Sequence, residues 1–238
     1  MLLCQNVDAT KPAIGSVIWL HGLGASGDDF VPLVPHLDLP DVHFVFPNAP
    51  LRAVTINGGY VMPAWYDITT FEMVPEREHP PHIHEAASLI ETCIEKEMER
   101  GIQPHQIILV GFSQGAALSL HVGRKYQQSL GGIVVLSGYM LLEHEYNRHP
   151  SHPSNVHTPM LFCHGVRDLV VKYDRGALAY EHLESTHSRM EWRDFYVGHE
   201  ICIEELRHVC TWLHRRFDII RSKNQSEGSQ SKDGQKAP

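Results

Sequence analysis

The stretch "IILVGFSQGAALSL", residues 107–120, decides the fold. An apolar run of strand character stops at Gly111. Ser113 follows two residues later and Gly115 two after that, and small apolar residues at helical spacing then begin. Strand, tight turn and helix in this order fit the G-x-S-x-G pattern. That pattern needs glycines where side chains would collide, and it holds the serine hydroxyl at a helix N-terminus on the carboxyl edge of a sheet. The plain alternative is an ordinary strand-turn-helix with a serine cap. A nucleophile requires partners, so the rest of the chain decides between the two.

Outward from this point, apolar runs alternate with amphipathic segments. "SVIWLHG", "VHFVFP", "GGIVVLSG", "TPMLFCHG" and "RMEWRDFYV" read as strands. "HEAASLIETCIEKEMERG" places Ala86, Ile90, Ile94 and Met98 on one helical face. "DRGALAYEHLEST" is a further helix. "CIEELRHVCTWLHRRF" turns Ile203, Leu206, Val209/Cys210, Leu213 and Phe217 inward. Asn57-Gly58 marks a hairpin between Arg52 and Trp65. This alternation specifies an α/β fold, a mainly parallel sheet with helices on both faces. One domain is expected over residues 1–220. Residues 221–238, "RSKNQSEGSQSKDGQKAP", have almost nothing to bury and are expected to form a disordered tail.

The totals narrow the function. The 238 residues carry a formal net charge of -8, which argues against a nucleic-acid partner. No apolar run reaches the roughly 18 residues of a membrane span. Five cysteines without C-x-x-C spacing suggest neither a disulfide framework nor a zinc site. The expected location is the cytoplasm.

A serine nucleophile needs a base and the base an orienting acid, in the chain order Ser, Asp or Glu, His. His199 lies in "YVGHEICIEEL", between the last strand and the last helix. His144, His149, His152 and His157 lie in a polar, proline-rich connection, without recurring metal-ligand spacing. Asp168 follows a glycine turn after "MLFCHG", whereas Asp174 begins a helix and Asp194 lies inside a strand. Ser113, Asp168 and His199 are therefore the candidate catalytic set. The oxyanion hole is assigned to the N–H groups of Gln114 and of Leu23 in the glycine-rich "WLHGLGASGDDF", with His21 pinning that loop.

Together "HGLGASGDDF", "FPNAPLRAVTINGGYVMPAWYDI", "GFSQGAALSL", "LSGY", "HGVRDLVV" and "GHEICIEEL" resemble the phospholipase/carboxylesterase group that includes acyl-protein thioesterases. The resemblance spans about residues 12–217, and "MPAWYDI" and "GHE" look closer to bacterial carboxylesterase-like members than to animal thioesterases. It implies an α/β-hydrolase fold, no cofactor and no metal, with Ser113, Asp168 and His199 on the triad and Leu23 and Gln114 on the oxyanion donors. It further implies that "TTFEMVPEREHPPHIHE" forms a flap over the acyl pocket. Trp65, Phe71 and Met73 are then the expected substrate-binding residues, with Val74 beside them. The implied substrate is a small acyl ester or thioester, a lysophospholipid or an acylated protein, and a homodimer is compatible with the sequence. The competing expectation is a non-catalytic binding module on the same fold.

Overall fold

The computed structural model describes residues 2–70, 72, 74, 77–146 and 150–233, with residues 225–233 described by backbone alone. The strands are β1 (Cys4–Val7), β2 (Gly15–Leu20), β3 (Val42–Pro47), β4 (Leu51–Val54), β5 (Tyr60–Pro63), β6 (Ile107–Phe112), β7 (Gly132–Leu136), β8 (Met160–Gly165) and β9 (Met190–Phe195). The helices are α1 (Val34–Leu37), α2 (Pro80–Glu99), α3 (Gln114–Lys125), α4 (Tyr173–Glu184) and α5 (Ile203–Asp233). Seven strands form one sheet in the order β1-β3-β2-β6-β7-β8-β9. All neighbours are parallel except β1 and β3. Strands β4 and β5 form a separate antiparallel hairpin that turns through Gly58 and Gly59, both at positive φ.

The central strands are apolar on both sides because helices cover both faces. Ile18, Leu20, Ile107 and Leu109 pack with α2 and α3. Their neighbours along the same strands, Val17, Trp19, Ile108 and Val110, pack with Val209, Trp212, Leu213 and Phe217 of α5. Ile133, Val135, Met160 and Phe162 meet Ala179 and Leu183 of α4. The alternation is the period-two geometry of a strand, used here with both sets buried. Among the described residues no helix is long and apolar enough to cross a membrane.

Helix α5 runs past residue 220 to Asp233. Arg221 grips Asp41 with Nε and Nη2 at 2.8 Å each, and Gln106 Nε2 donates to Asn224 Oδ1 at 3.1 Å. A helix already nucleated by packing extends cheaply through residues without proline. Within α5, Ile203 points outward at 65% exposure, while Glu205 is buried. The hydrophobic stripe begins one turn later than its pattern suggests.

Candidate active site

The sheet is parallel at its centre, so loops leaving successive strands converge on one edge. Four of them build the site: Gly22–Ala25 after β2, Ser113 after β6, Asp168 after β8 and His199 after β9.

Ser113 sits at φ 55°, ψ -119°, a sparsely populated conformation for a residue with a side chain. Its neighbours show why both glycines are needed. A Cβ on Gly111 would lie 2.3 Å from the carbonyl oxygen of Gly115, and one on Gly115 would lie 2.4 Å from that of Leu20. Strand β2, the turn and α3 therefore touch backbone to backbone. The Ser113 N–H donates to Leu136 O at 2.9 Å, which fixes the turn to β7.

His199 Nδ1 lies 2.6 Å from Asp168 Oδ2, and its Nε2 lies 2.8 Å from Ser113 Oγ. An ionised carboxylate only accepts, so Nδ1 carries the proton and Nε2 accepts from the serine hydroxyl. Asp168 Oδ1 accepts the N–H groups of Val170 and Val171, at 2.9 Å each. Burial raises the Asp168 carboxyl, but the His199 hydrogen bond and charge and the two N–H donors outweigh it and hold its pKa below the usual value. Phe112 packs against the His199 ring with centroids 4.8 Å apart.

Leu23 and Gln114 both line the cavity beside Ser113, and among the described residues neither backbone N–H has a hydrogen-bond partner. His21 holds the Leu23 loop. Its Nε2 accepts from Ala49 N–H at 3.0 Å, and its Nδ1–H donates to Gly22 O at 2.7 Å. Burial keeps His21 neutral by lowering its pKa.

Trp65 does not reach the cavity. It is fully buried, its indole donates to His21 O at 2.9 Å, and its N–H donates to Gln114 Oε1 at 2.8 Å. It braces the loop from behind, where the sequence led one to expect substrate contact. Phe71 and Met73 lie outside the described residues. The Gln114 amide also donates to Tyr66 O at 2.8 Å, so this side chain is a buried cross-link, a role its backbone assignment did not include.

The cavity above Ser113 has a volume of about 620 Å³. Phe30, Ile56, Ile68, Val170 and Ile201 supply much of its apolar wall. Arg77 and Tyr139 also line it, and sequence reasoning missed both. Tyr139 follows β7 at the carboxyl edge, a position that could have marked it. Arg77 lies in a charged loop that carries no such signal. Among the described residues no group of three or more His, Cys, Asp or Glu is placed to hold a metal ion.

This arrangement can move a proton from a serine hydroxyl to an imidazole beside two unpaired N–H donors, in a largely apolar cavity. Comparisons with known proteins agree with that chemistry. The phospholipase/carboxylesterase family model matches residues 5–216. Acyl-protein thioesterase 1 of Yarrowia lipolytica is 35% identical over 89% of this chain and 96% of its own length. Acyl-protein thioesterase 1 homolog 1 of Dictyostelium discoideum is 39% identical over 71% of this chain and 76% of its own. The crystal structure of acyl-protein thioesterase 2 from Zea mays superposes with a TM-score of 0.79, at 26% identity, covering 91% of this chain and 99% of that one. The family match spans nearly all of the sheet and the whole of the site, and the chain belongs to the phospholipase/carboxylesterase family.

Proposed function

We propose that the chain is a serine hydrolase that cleaves carboxylic esters or thioesters through an acyl-serine intermediate. Ser113 is the nucleophile in this reading. His199 takes its proton as the bond to the carbonyl carbon forms and returns it to the leaving alcohol or thiol. Asp168 fixes the histidine's tautomer and stabilises the imidazolium. The N–H groups of Leu23 and Gln114 receive the oxyanion. Water then repeats the sequence on the acyl-serine, and no cofactor is required. The observation that carries the reading is the pair of hydrogen bonds joining Ser113 Oγ, His199 and Asp168 on one sheet edge, at 2.8 and 2.6 Å.

The substrate class follows from the cavity and the relatives. A volume of about 620 Å³ with apolar walls accommodates an acyl chain. The relatives named above are acyl-protein thioesterases, which favours an acylated protein, with a lysophospholipid as the small-molecule counterpart. The five unpaired cysteines suit the reducing cytoplasm as its place of action.

A fluorophosphonate probe is expected to label the protein at Ser113 and to leave Ser113→Ala unlabelled. A panel of p-nitrophenyl esters and matched thioesters, acetate to palmitate, should then show turnover that the same substitution abolishes. Failure of a folded protein to react with the probe and with every ester would leave a binding module as the better account.

A further inference from the structure

Cys4 on the edge strand β1 and Cys93 in the C-terminal half of α2 are far apart in the chain, yet both line one cavity of about 250 Å³. The Cys93 S–H donates to the Cys4 sulfur, so the two sulfurs are in contact. Cys93 belongs to the core cluster with Val45 and Ile94, and Cys4 packs against that cluster. Cys93 is 3% exposed, whereas Cys4 is only half-buried and is reached from the cavity. Lys96, one turn after Cys93, stands on the same wall. Glu97, the carboxylate that would oppose its charge, is committed to Ser16, His43 and Arg100.

A buried cysteine is ordinarily a small apolar filler. Cys163 fits that description, because it is almost fully buried and burial pushes its thiol well above the usual range. Cys4 does not. The hydrogen bond from Cys93 chiefly, with the Lys96 charge, outweighs the burial of Cys4 and brings its pKa down to about 7. A thiolate is the nucleophilic form of cysteine, and here it touches a second sulfur that is able to resolve an oxidised intermediate.

We propose that Cys4 and Cys93 form a reversible oxidation site, at which hydrogen peroxide converts the two thiols into a disulfide that ties β1 to α2. The Cys4 thiolate attacks one peroxide oxygen, the O–O bond breaks and hydroxide leaves, which gives a sulfenic acid. The hydroxide takes up the proton that Cys4 gave to solvent. The Cys93 sulfur then attacks the Cys4 sulfur, the S–O bond breaks, and the Cys93 proton departs with the hydroxyl as water. Two thiols are oxidised and one peroxide is reduced to two waters. Strand β1 is what the tie secures, since it is four residues long and pairs with β3 alone. In a reducing compartment such a disulfide is transient, formed under oxidant and removed by cellular thiols. The site is independent of the hydrolase reading.

The test treats the reduced full chain with a small excess of hydrogen peroxide and reads intact mass, a non-reducing peptide map and a melting curve. The expected result is a loss of about 2 Da, a linked peptide pair containing residues 4 and 93, and a melting temperature raised by about 5 °C or more, because a cross-link that closes a long loop constrains the unfolded chain. Dithiothreitol should reverse all three. Cys4→Ser and Cys93→Ser should each abolish the mass loss and the stabilisation, whereas Cys210→Ser should keep both. Melting curves of the reduced variants show whether they fold, and the peptide map of the unsubstituted chain stands without them. Oxygen added at Cys4 without a cross-link, a link through any other cysteine, a cross-linked protein that melts no higher, or no reaction with peroxide overturns the proposal.

Discussion

At the scale of single residues, the strain at Ser113 and the satisfaction of Asp168 make different predictions. Ser113→Ala removes the nucleophile and relieves little else, so kcat should fall on the order of 10⁶ while the fold persists. Asp168→Asn presents an amide where Nδ1 needs an acceptor, and should cost roughly 10⁴ through the wrong histidine tautomer. Steady-state kinetics on both variants, with Asp174→Asn as the comparison, checks the assignment; loss of activity in Asp174→Asn alone would refute it. Gln114→Ala behaves differently. Its backbone N–H survives, so activity of the folded variant should drop less than about a hundredfold. Its amide is the buried partner of Trp65 N–H and Tyr66 O. Stability should therefore fall by about 2–4 kcal/mol, measured by denaturant titration. That Ser113, Asp168 and His199 meet on one sheet edge was legible because each stands beside a glycine or a strand end in the chain order such a set requires. The Gln114 cross-link was not, because its partners are backbone atoms of residues 65 and 66, which no side-chain pattern encodes.

At the scale of elements, the parallel strands and α2 to α5 were legible from period and glycine punctuation. Strand β1 was not: Cys4–Val7 is half-exposed at the sheet edge and too short for a pattern. The apolar stripe of α5 ends at Ile220, and the polar anchors Arg221 and Asn224 follow it. Those anchors predict a graded truncation series. Deleting residues 225–238 should leave the melting temperature unchanged, whereas Arg221→Ala should lower it by a few degrees, since a partly buried bidentate pair is worth about 1 kcal/mol. The Arg221 hydrogen bond is also what chiefly holds the Asp41 carboxyl below its usual pKa. Calorimetric melts across the series decide it, and equal effects of the two changes would show that the anchors do not act as described.

At the scale of the whole molecule, buried titratable groups set an opposed pH response. His21, His121, His164 and His187 are buried, and burial lowers the pKa of each. Their stability contribution is present above the unfolded value near 6.5 and is lost as pH falls through the folded value. Glu205 works in the other direction. Burial, with the nearby Asp168 charge adding to it, raises its pKa to about 7. The folded state then holds a proton that the unfolded state releases, so stability drains away as pH rises from the unfolded value near 4.5 to about 7. Between pH 5 and 7 the two trends offset each other. Glu205→Gln removes one of them. Its melting temperature should match wild type near pH 5 and exceed it at pH 8, by an amount on the order of 3 kcal/mol in stability. A wild-type advantage at pH 8 would show that the carboxylate is satisfied in its ionised form.

The three residues that do the proposed chemistry are not made together during synthesis. Ser113 leaves the ribosome with β6, while Asp168 and His199 follow β8 and β9 and must wait for strands that pair only with β7 and with each other. A nascent chain that stalls before residue 160 carries the strained serine with neither base nor acid. Such a fragment should ignore fluorophosphonate, and supplying residues 150–238 in trans should switch labelling on. Chain order thus leaves Ser113 without its proposed base until β9 and the loop that carries His199 have been made.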